Sequence, residues 1–326
     1  MIVQERPIPI RIQKNEVLLR RLPKNHITRA AIESELARRW SGHRGEQAVD
    51  FSLSKLPESD YLIFHGMRLT NGQFYFQIDT LILTAYFALI LEVKNYVGTL
   101  YFDPVLNQLI QTNLQGEEKG YANPVEQARQ QQQELKKWLE KRNVFLPIEY
   151  LIIISKPSTI IKTASGHEQI LENVLHVQYL LSRMDKINST YKKEILSTKE
   201  LKKLSRILLK EHTPETFDIL PFYKIPLTEI QTGVQCDHCS SNLPMKRHYG
   251  TWYCLNCQTK NKNAHIQAIN DYFLLTNDAP ISNEQLRKFL QLTSANIAYK
   301  LLKTMNLSCK GTCRDRVYFP RYAKPN

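Results

Sequence analysis

The chain has 326 residues, 42% hydrophobic and 23% charged, with a formal net charge of +13 and a pI near 9.4. That length holds two or three domains and at least one well-buried core, and the composition is ordinary for a soluble globular protein. The basic excess favours a polyanionic partner over a merely solvated basic surface, and it is uneven: from Gln231 onward there are 13 Lys/Arg against 5 Asp/Glu.

Charged residues Glu5, Arg11, Lys14, Glu16 and Arg20 break up the first 21 residues and leave no signal-peptide core. The longest apolar stretch, Thr80 to Leu91, is too short for a membrane span. All six cysteines lie between Cys236 and Cys313, and four of them have metal-site spacing. A reducing cytoplasm is expected, not a secreted disulfide framework.

Met1 to Lys24, with the extended Pro7-Ile8-Pro9 segment, reads as a basic arm or cover strand. A helix is expected from Ile27 to Trp40, broken at Ser41-Gly42, with a second from Gly45 to Leu56. Tyr61 to Leu69 reads as a strand and Asn71-Gly72 as a turn. Phe74 to Leu83 and Ala88 to Lys94 are two further strands joined at Thr84 to Phe87, and Gly98 to Phe102 is expected to continue the sheet. Asn123-Pro124 suits a helix start, since Asn caps and Pro fits the first turn; that helix runs through Gln127 to about Arg142. Tyr150 to Ser155 is an apolar strand of the kind buried on both faces. Ile170 to Glu211 reads as helical and increasingly basic. The proline-rich stretch from Pro214 to Gln231 reads as a linker.

Strand alternation places Glu92 and Lys94 on one face and Leu91 and Val93 on the other. Asp79 shares its face with Leu81 and Leu83, a carboxylate at the margin of an apolar surface. Glu46 stands three and seven residues before Val49 and Leu53, on the buried side of an amphipathic helix. Carboxylates in such positions are costly unless neutralised, and a hard divalent cation such as Mg²⁺ or Mn²⁺ would neutralise them. Two carboxylates and an amine at one point on a sheet are the parts needed to hydrolyse a phosphodiester bond.

Arg44-Gly45-Glu46, Gln77-Ile78-Asp79, Glu92-Val93-Lys94-Asn95 with Gly98, and Asn123-Pro124-x-x-Gln127 follow in order over roughly Ser41 to Ser155. That series resembles the nuclease-related domain (NERD), a bacterial branch similar to the PD-(D/E)xK restriction-endonuclease-like fold. The resemblance implies an α/β core, a mixed sheet flanked by helices, with Glu46 on its first helix. It further implies Asp79 and Glu92 as ligands of Mg²⁺ or Mn²⁺ together with the Val93 carbonyl. Lys94 would stand beside the attacking water, and Gln127 would reach the site from the following helix. Gln-Ile-Asp stands where the wider superfamily often has Pro-Asp, and the acidic ligand is kept.

Cys236-x2-Cys239 and Cys254-x2-Cys257 are separated by fourteen residues, the spacing of a four-thiolate structural zinc site resembling a zinc ribbon. Lys246, Arg247, His248, Tyr249, Trp252 and Tyr253 between the pairs either touch phosphates and bases or build the ribbon's small core. Helices are expected at Ala264 to Thr276, Ser282 to Leu290 and Thr293 to Met305, then two short strands around Gly311. This order resembles a winged helix, with Ser294, Asn296, Tyr299, Lys300 and Lys303 on the recognition helix and Lys310, Arg314 and Arg316 on the wing. Cys309 and Cys313 are expected to be free thiols.

The expected organisation is an N-terminal arm and helix (1–40), a nuclease-like domain (41–213), a linker (214–231), a zinc ribbon (232–262) and a winged-helix-like nucleic-acid-binding domain (263–326). The expected function is metal-dependent hydrolysis of DNA, directed by the tail. The alternatives are a non-catalytic DNA-binding or regulatory protein with the same fold, or a scaffold that recruits partners through its tail.

Overall fold

The computed structural model describes every residue except 73, 240–242, 313–314 and 321–326. The chain forms two compact units: Met1–Ile8 with Trp40–Glu215, and Pro9–Arg39 with Thr216–Asn326. It begins with strand β1 (Ile2–Gln4) and helix α1 (Ile10–Arg21), followed by the 25-residue helix α2 (Arg29–Leu53), within which the chain passes from the second unit to the first. The expected break at Ser41-Gly42 does not occur. A helical glycine costs only about 1 kcal/mol against alanine, and the burial of Val49 and Leu53 against the sheet offsets it.

The first unit is built on a six-stranded mixed sheet. Its strands are β1, β2 (Leu62–Thr70), β3 (Tyr75–Leu83), β4 (Ala88–Lys94), β8 (Ile148–Ile154) and β10 (Val174–His176), in that spatial order. The β2, β3 and β4 pairs are antiparallel, whereas β4 runs parallel to β8 and β8 to β10. β4 and β8 are the most apolar segments because they are central and covered on both faces. Helix α3 (Pro124–Glu140) packs on one face with α5 (Thr198–Glu211); α2 and α4 (Leu180–Thr190) cover the other. Asn123 caps α3 by accepting the Val125 N–H, as its sequence suggests.

Gly98 to Phe102 does not extend this sheet. Gly98 has φ of +90°, and a Cβ there would lie 2.1 Å from the Thr112 carbonyl oxygen, so the chain turns away at a position only glycine tolerates. β5 (Thr99–Asp103) instead joins β6 (Gln108–Thr112), β7 (Glu118–Ala122) and β9 (Ile160–Thr163) in a second sheet, ordered β7-β6-β5-β9. The stretch expected to be helical from Ile170 contains β10 before α4 and α5 begin.

In the second unit, α1 replaces most of the expected arm. Val17, Leu18 and Leu22 bury against Ile32, Ile219, Ile225, Ile230 and Leu275. The stretch expected to be a linker is thus packed, and it includes the short helix α6 (Ile219–Tyr223). Helix α7 (Ala264–Leu275) carries Asp271, which is buried and accepts hydrogen bonds from Arg20 and Arg21. Strands β11 (Lys246–His248), β12 (Thr251–Tyr253) and β13 (Lys260–Asn261) form a three-stranded sheet. After α7 come β14 (Ile281–Ser282), α8 (Asn283–Leu290), α9 (Ala295–Thr304), β15 (Ser308–Lys310) and β16 (Val317–Phe319); the three strands pair in the order β14-β16-β15.

Candidate active site

The β3–β4 ladder ends at the pair Thr80 and Leu91. Asp79 and Glu92 are the next residue on each strand. There the Asp79 carboxylate accepts the Val93 N–H at 3.1 Å, so a side chain takes the place of a ladder carbonyl. Glu92, 2% exposed, lies among apolar neighbours on the α3 side of the sheet. Its Oε1 accepts from Lys94 Nζ at 2.6 Å and its Oε2 from Gln131 Nε2 at 2.8 Å. Lys94 Nζ also donates to Gln127 Oε1 at 3.1 Å. Gln127 and Gln131 are one turn apart, so both project from the same side of α3.

Glu46 approaches from α2. Gly45 makes that approach possible: a Cβ at this position would stand 2.4 Å from Asn95 Cβ. Arg6, delivered by the segment after β1, donates from Nη1 to Glu46 Oε2 at 2.6 Å and to the Asp79 carbonyl at 3.3 Å. Its Nε and Nη2 donate to the two oxygens of Asp50 at 2.9 and 2.6 Å, and Nη2 also reaches Thr80 Oγ1 and His65 Nδ1. His65 therefore accepts at Nδ1, and burial together with the Arg6 charge holds its pKa down at about 4. It is a neutral packing group.

Burial pushes the Glu46 carboxyl up to about 8, reinforced by the charge of Asp79. Burial and Asp79 likewise push Glu92 up to about 7, against the opposing pull of Lys94 and Gln131. Burial alone would lower Lys94, but Glu92 outweighs it, and the ammonium ion is favoured. Among the described residues, Glu46, Asp50, Asp79 and Glu92 thus face two close cations, Arg6 and Lys94. With all four ionised, two carboxylate charges would lack a counter-charge; protons on Glu46 and Glu92 remove them here, and one divalent cation could take the protons' place. Among the described residues, only the four cysteines discussed below form a group of three or more His, Cys, Asp and Glu side chains with all ligand atoms within 4.8 Å of one another. The carboxylates are spread wider than a closed cage.

The structure brings together Glu46, Asp79, Glu92, Lys94 and Gln127, all named from sequence. Arg6, Asp50 and Gln131 were not anticipated. Asp50 and Gln131 had a signal, each lying four residues beyond a candidate on the same helix; Arg6 had none.

In the second unit, Cys236, Cys239, Cys254 and Cys257 converge, with Sγ separations of 3.6 Å (Cys236–Cys257) and 3.5 Å (Cys239–Cys254). A tetrahedron with zinc–sulfur bonds of about 2.3 Å has edges of roughly 3.8 Å, so the four thiols can hold a structural metal such as zinc. Hydrogen bonds from Thr259 hold Cys257 down at about 5, towards the thiolate such a metal needs, whereas burial pushes Cys236 up to about 12. Cys309 is free and exposed; Cys313 lies outside the described residues.

Trp252 is 1% exposed and belongs to the core, and the Arg247 guanidinium sits 5.2 Å from its ring centroid. These two serve the unit's own packing, while Lys246 is exposed. On α9, Asn296, Tyr299, Lys300 and Lys303 are all exposed and share one face, since Ala298, Leu301 and Leu302 point inward. Ser294 caps this helix by accepting the Ile297 N–H. Lys310 lies on β15 opposite Val317, and Arg316 hydrogen-bonds Tyr318 and Tyr299. Arg314 is outside the described residues.

Residues 41–155 match the family described as the nuclease-related domain, NERD. The matched segment runs from the middle of α2 through β8 and contains every carboxylate of the cluster as well as Lys94, Gln127 and Gln131. Its mixed α/β arrangement agrees with a nuclease-like fold, and the family match suggests a nuclease-related function with nucleic-acid interaction. Comparison with curated proteins and with solved structures gave no match. Among the described residues, no helix is long and apolar enough to cross a membrane.

Proposed function

We propose that this protein is a metal-dependent nuclease that hydrolyses phosphodiester bonds of DNA through Asp79, Glu92 and Lys94. The carrying observation is the meeting of those three side chains at the end of the β3–β4 ladder, where burial and the Asp79 charge raise the Glu46 and Glu92 carboxyls. Asp79 and Glu92 would hold a Mg²⁺ or Mn²⁺ ion, which when bound polarises the scissile phosphate and lowers the pKa of a coordinated water. Gln131 fixes one Glu92 oxygen, and Gln127 steadies Lys94 from the opposite side. Lys94, with a side chain 20% exposed, can still reach a substrate. Its ammonium ion orients the attacking water and stabilises charge growing on the phosphorane oxygens. Attack by water forms one P–O bond and breaks another; the leaving alkoxide takes up a proton, giving a phosphate monoester and a hydroxyl end. Glu46, held by Arg6, completes the acidic wall beside Asp79.

The second unit supports delivery to DNA. Its helix–strand–helix–helix–strand–strand order and β14-β16-β15 sheet have the connectivity of a winged helix, and the exposed face of α9 carries Asn296, Tyr299, Lys300 and Lys303. Lys246, Lys310 and Arg316 add positive charge, and the four cysteines holding zinc would stabilise the neighbouring ribbon. The test is cleavage of linear, circular and single-stranded DNA with Mg²⁺, Mn²⁺ or EDTA, with Lys94→Ala alongside. Metal-dependent cutting lost by at least 100-fold in Lys94→Ala is expected. Binding without cutting would hand the protein to the alternative reading, a non-catalytic DNA-binding or regulatory protein.

A further inference from the structure

Some cations on the helices are paired along the helix: Arg38 and Arg39 bond Glu35, Arg129 bonds Glu126, Lys136 and Lys137 lie on Glu140 and Glu134, and Lys288 on Glu284. Others, Arg44 on α2, Lys186 on α4 and Lys300 and Lys303 on α9, are exposed without an ion pair among the described residues. α5 gathers five of this second kind on one face. Lys199, Lys202, Lys203, Arg206 and Lys210 are all exposed, and among the described residues none of them has a carboxylate within 4.0 Å. The helix contains two acids, and both have hydrogen-bond partners outside the stripe, although the Lys203 charge also acts on Glu200. Glu200 closes a capping box with Ser197, and Glu211 accepts from Trp138 Nε1 and Arg142. Leu204, Ser205 and Leu208 are buried beneath the opposite face, so the stripe cannot rotate inward.

Its placement gives the stripe a direction. α5 starts beside the β3–β4 turn, where the Ile195 and Leu196 N–H groups donate to the Ala85 carbonyl. It ends beside β2, where Thr213 N–H donates to the Arg68 carbonyl and Arg68 N–H to His212 Nδ1. Arg68 pairs with Gln77, two residues before Asp79. The stripe from Lys199 to Lys210 therefore covers about 16 Å at 1.5 Å per residue, running towards the end of the sheet that carries Asp79, Glu92 and Lys94.

We propose that the outer face of α5 is a track for the phosphate backbone of double-helical nucleic acid. It lies on the first unit itself and is independent of α9. Resting on the nuclease reading above, it adds the surface that holds the duplex beside the site. Five cations on a helix that carries no aromatic side chain suit contact with phosphates and not readout of bases, so binding here is sequence-independent and strongly salt-dependent.

The full-length protein tests this. Binding of a fluorescent 20-base-pair duplex, as DNA and as RNA, is measured by anisotropy in EDTA across a salt series. A variant carrying Lys199→Gln, Lys202→Gln, Lys203→Gln, Arg206→Gln and Lys210→Gln is compared with one carrying arginine at the four lysine positions. Each lost phosphate contact removes about 0.9 from the log–log salt slope. The glutamine variant should lose about 3 or more from the slope and at least tenfold in affinity at moderate salt, while the arginine variant keeps both. An unchanged slope and affinity in the glutamine variant, at an unchanged Tm, overturns the proposal. So does loss of binding to phosphatidylserine vesicles with duplex binding intact, which would make the face a membrane contact. Cleavage in Mg²⁺ is read separately. A protein that loses binding through α5 but never cuts keeps the track and loses the nuclease reading; one that cuts while the glutamine variant binds normally does the reverse.

Discussion

Glu46 and Glu92 approach Asp79 from opposite faces of one sheet, Glu46 from α2 and Glu92 from the α3 side, and each is raised by burial and by the same neighbour. Without metal, these carboxyls keep their protons up to about pH 8 and about pH 7 in the folded protein, while the unfolded chain releases them near the ordinary glutamate value. Between those limits the folded state binds more protons, so its stability falls as pH rises. The effect is on the order of a few kcal/mol. A divalent cation binds the deprotonated forms and removes the slope. In EDTA, Tm should decline steadily from pH 5 to pH 8, and millimolar Mg²⁺ should flatten that decline; parallel curves with and without metal would sink the idea. Asp79, Glu92 and Lys94 were legible in the sequence because strand alternation fixes which of them share a face. Arg6 was not, because it lies 40 residues from Glu46 and 44 from Asp50 and reaches them only through the pairing of β1 with β2.

α2 and β4 illustrate opposite cases among the elements. β4 is an apolar run with turn residues before it, and its length and composition announce a central strand. α2 contains Ser41-Gly42, which local propensity reads as a stop, yet it continues because its far end is buried on the sheet. The two helical glycines also differ. Gly42 has nothing within 4 Å of its missing Cβ, whereas at Gly45 that Cβ would lie 2.4 Å from Asn95 Cβ and 3.1 Å from Ser155 Oγ. Gly45→Ala should therefore push α2 from the ends of β4 and β8 and cost about 1–3 kcal/mol. Gly42→Ala should stabilise by up to about 1 kcal/mol through helix propensity. Urea unfolding of both variants checks the contrast, and equal effects would mean that α2 does not approach Asn95 as described.

The two units draw their stability from different sources. The first has an extensive core on both faces of a six-stranded sheet, whereas the second combines smaller apolar clusters with the buried Asp271–Arg21 pair and the four-cysteine group. If zinc occupies those cysteines, a strong chelator should unfold the segment around β11 to β13 and leave the first unit's cooperative transition in place. Hydrogen exchange measured segment by segment would read this directly; simultaneous loss of protection in both units would contradict it. The sequence by itself determined the strands around the acidic cluster, the start of α3, the cysteine spacing and the order of elements in the tail. Those features depend on side-chain period, turn chemistry and propensity, which act over a few residues. Tertiary structure alone decided that α1 packs in the second unit, that β5 leaves the first sheet at Gly98, and that Arg6 enters the cluster. Those outcomes depend on which distant segments bury their apolar faces together, and no local pattern carries that information.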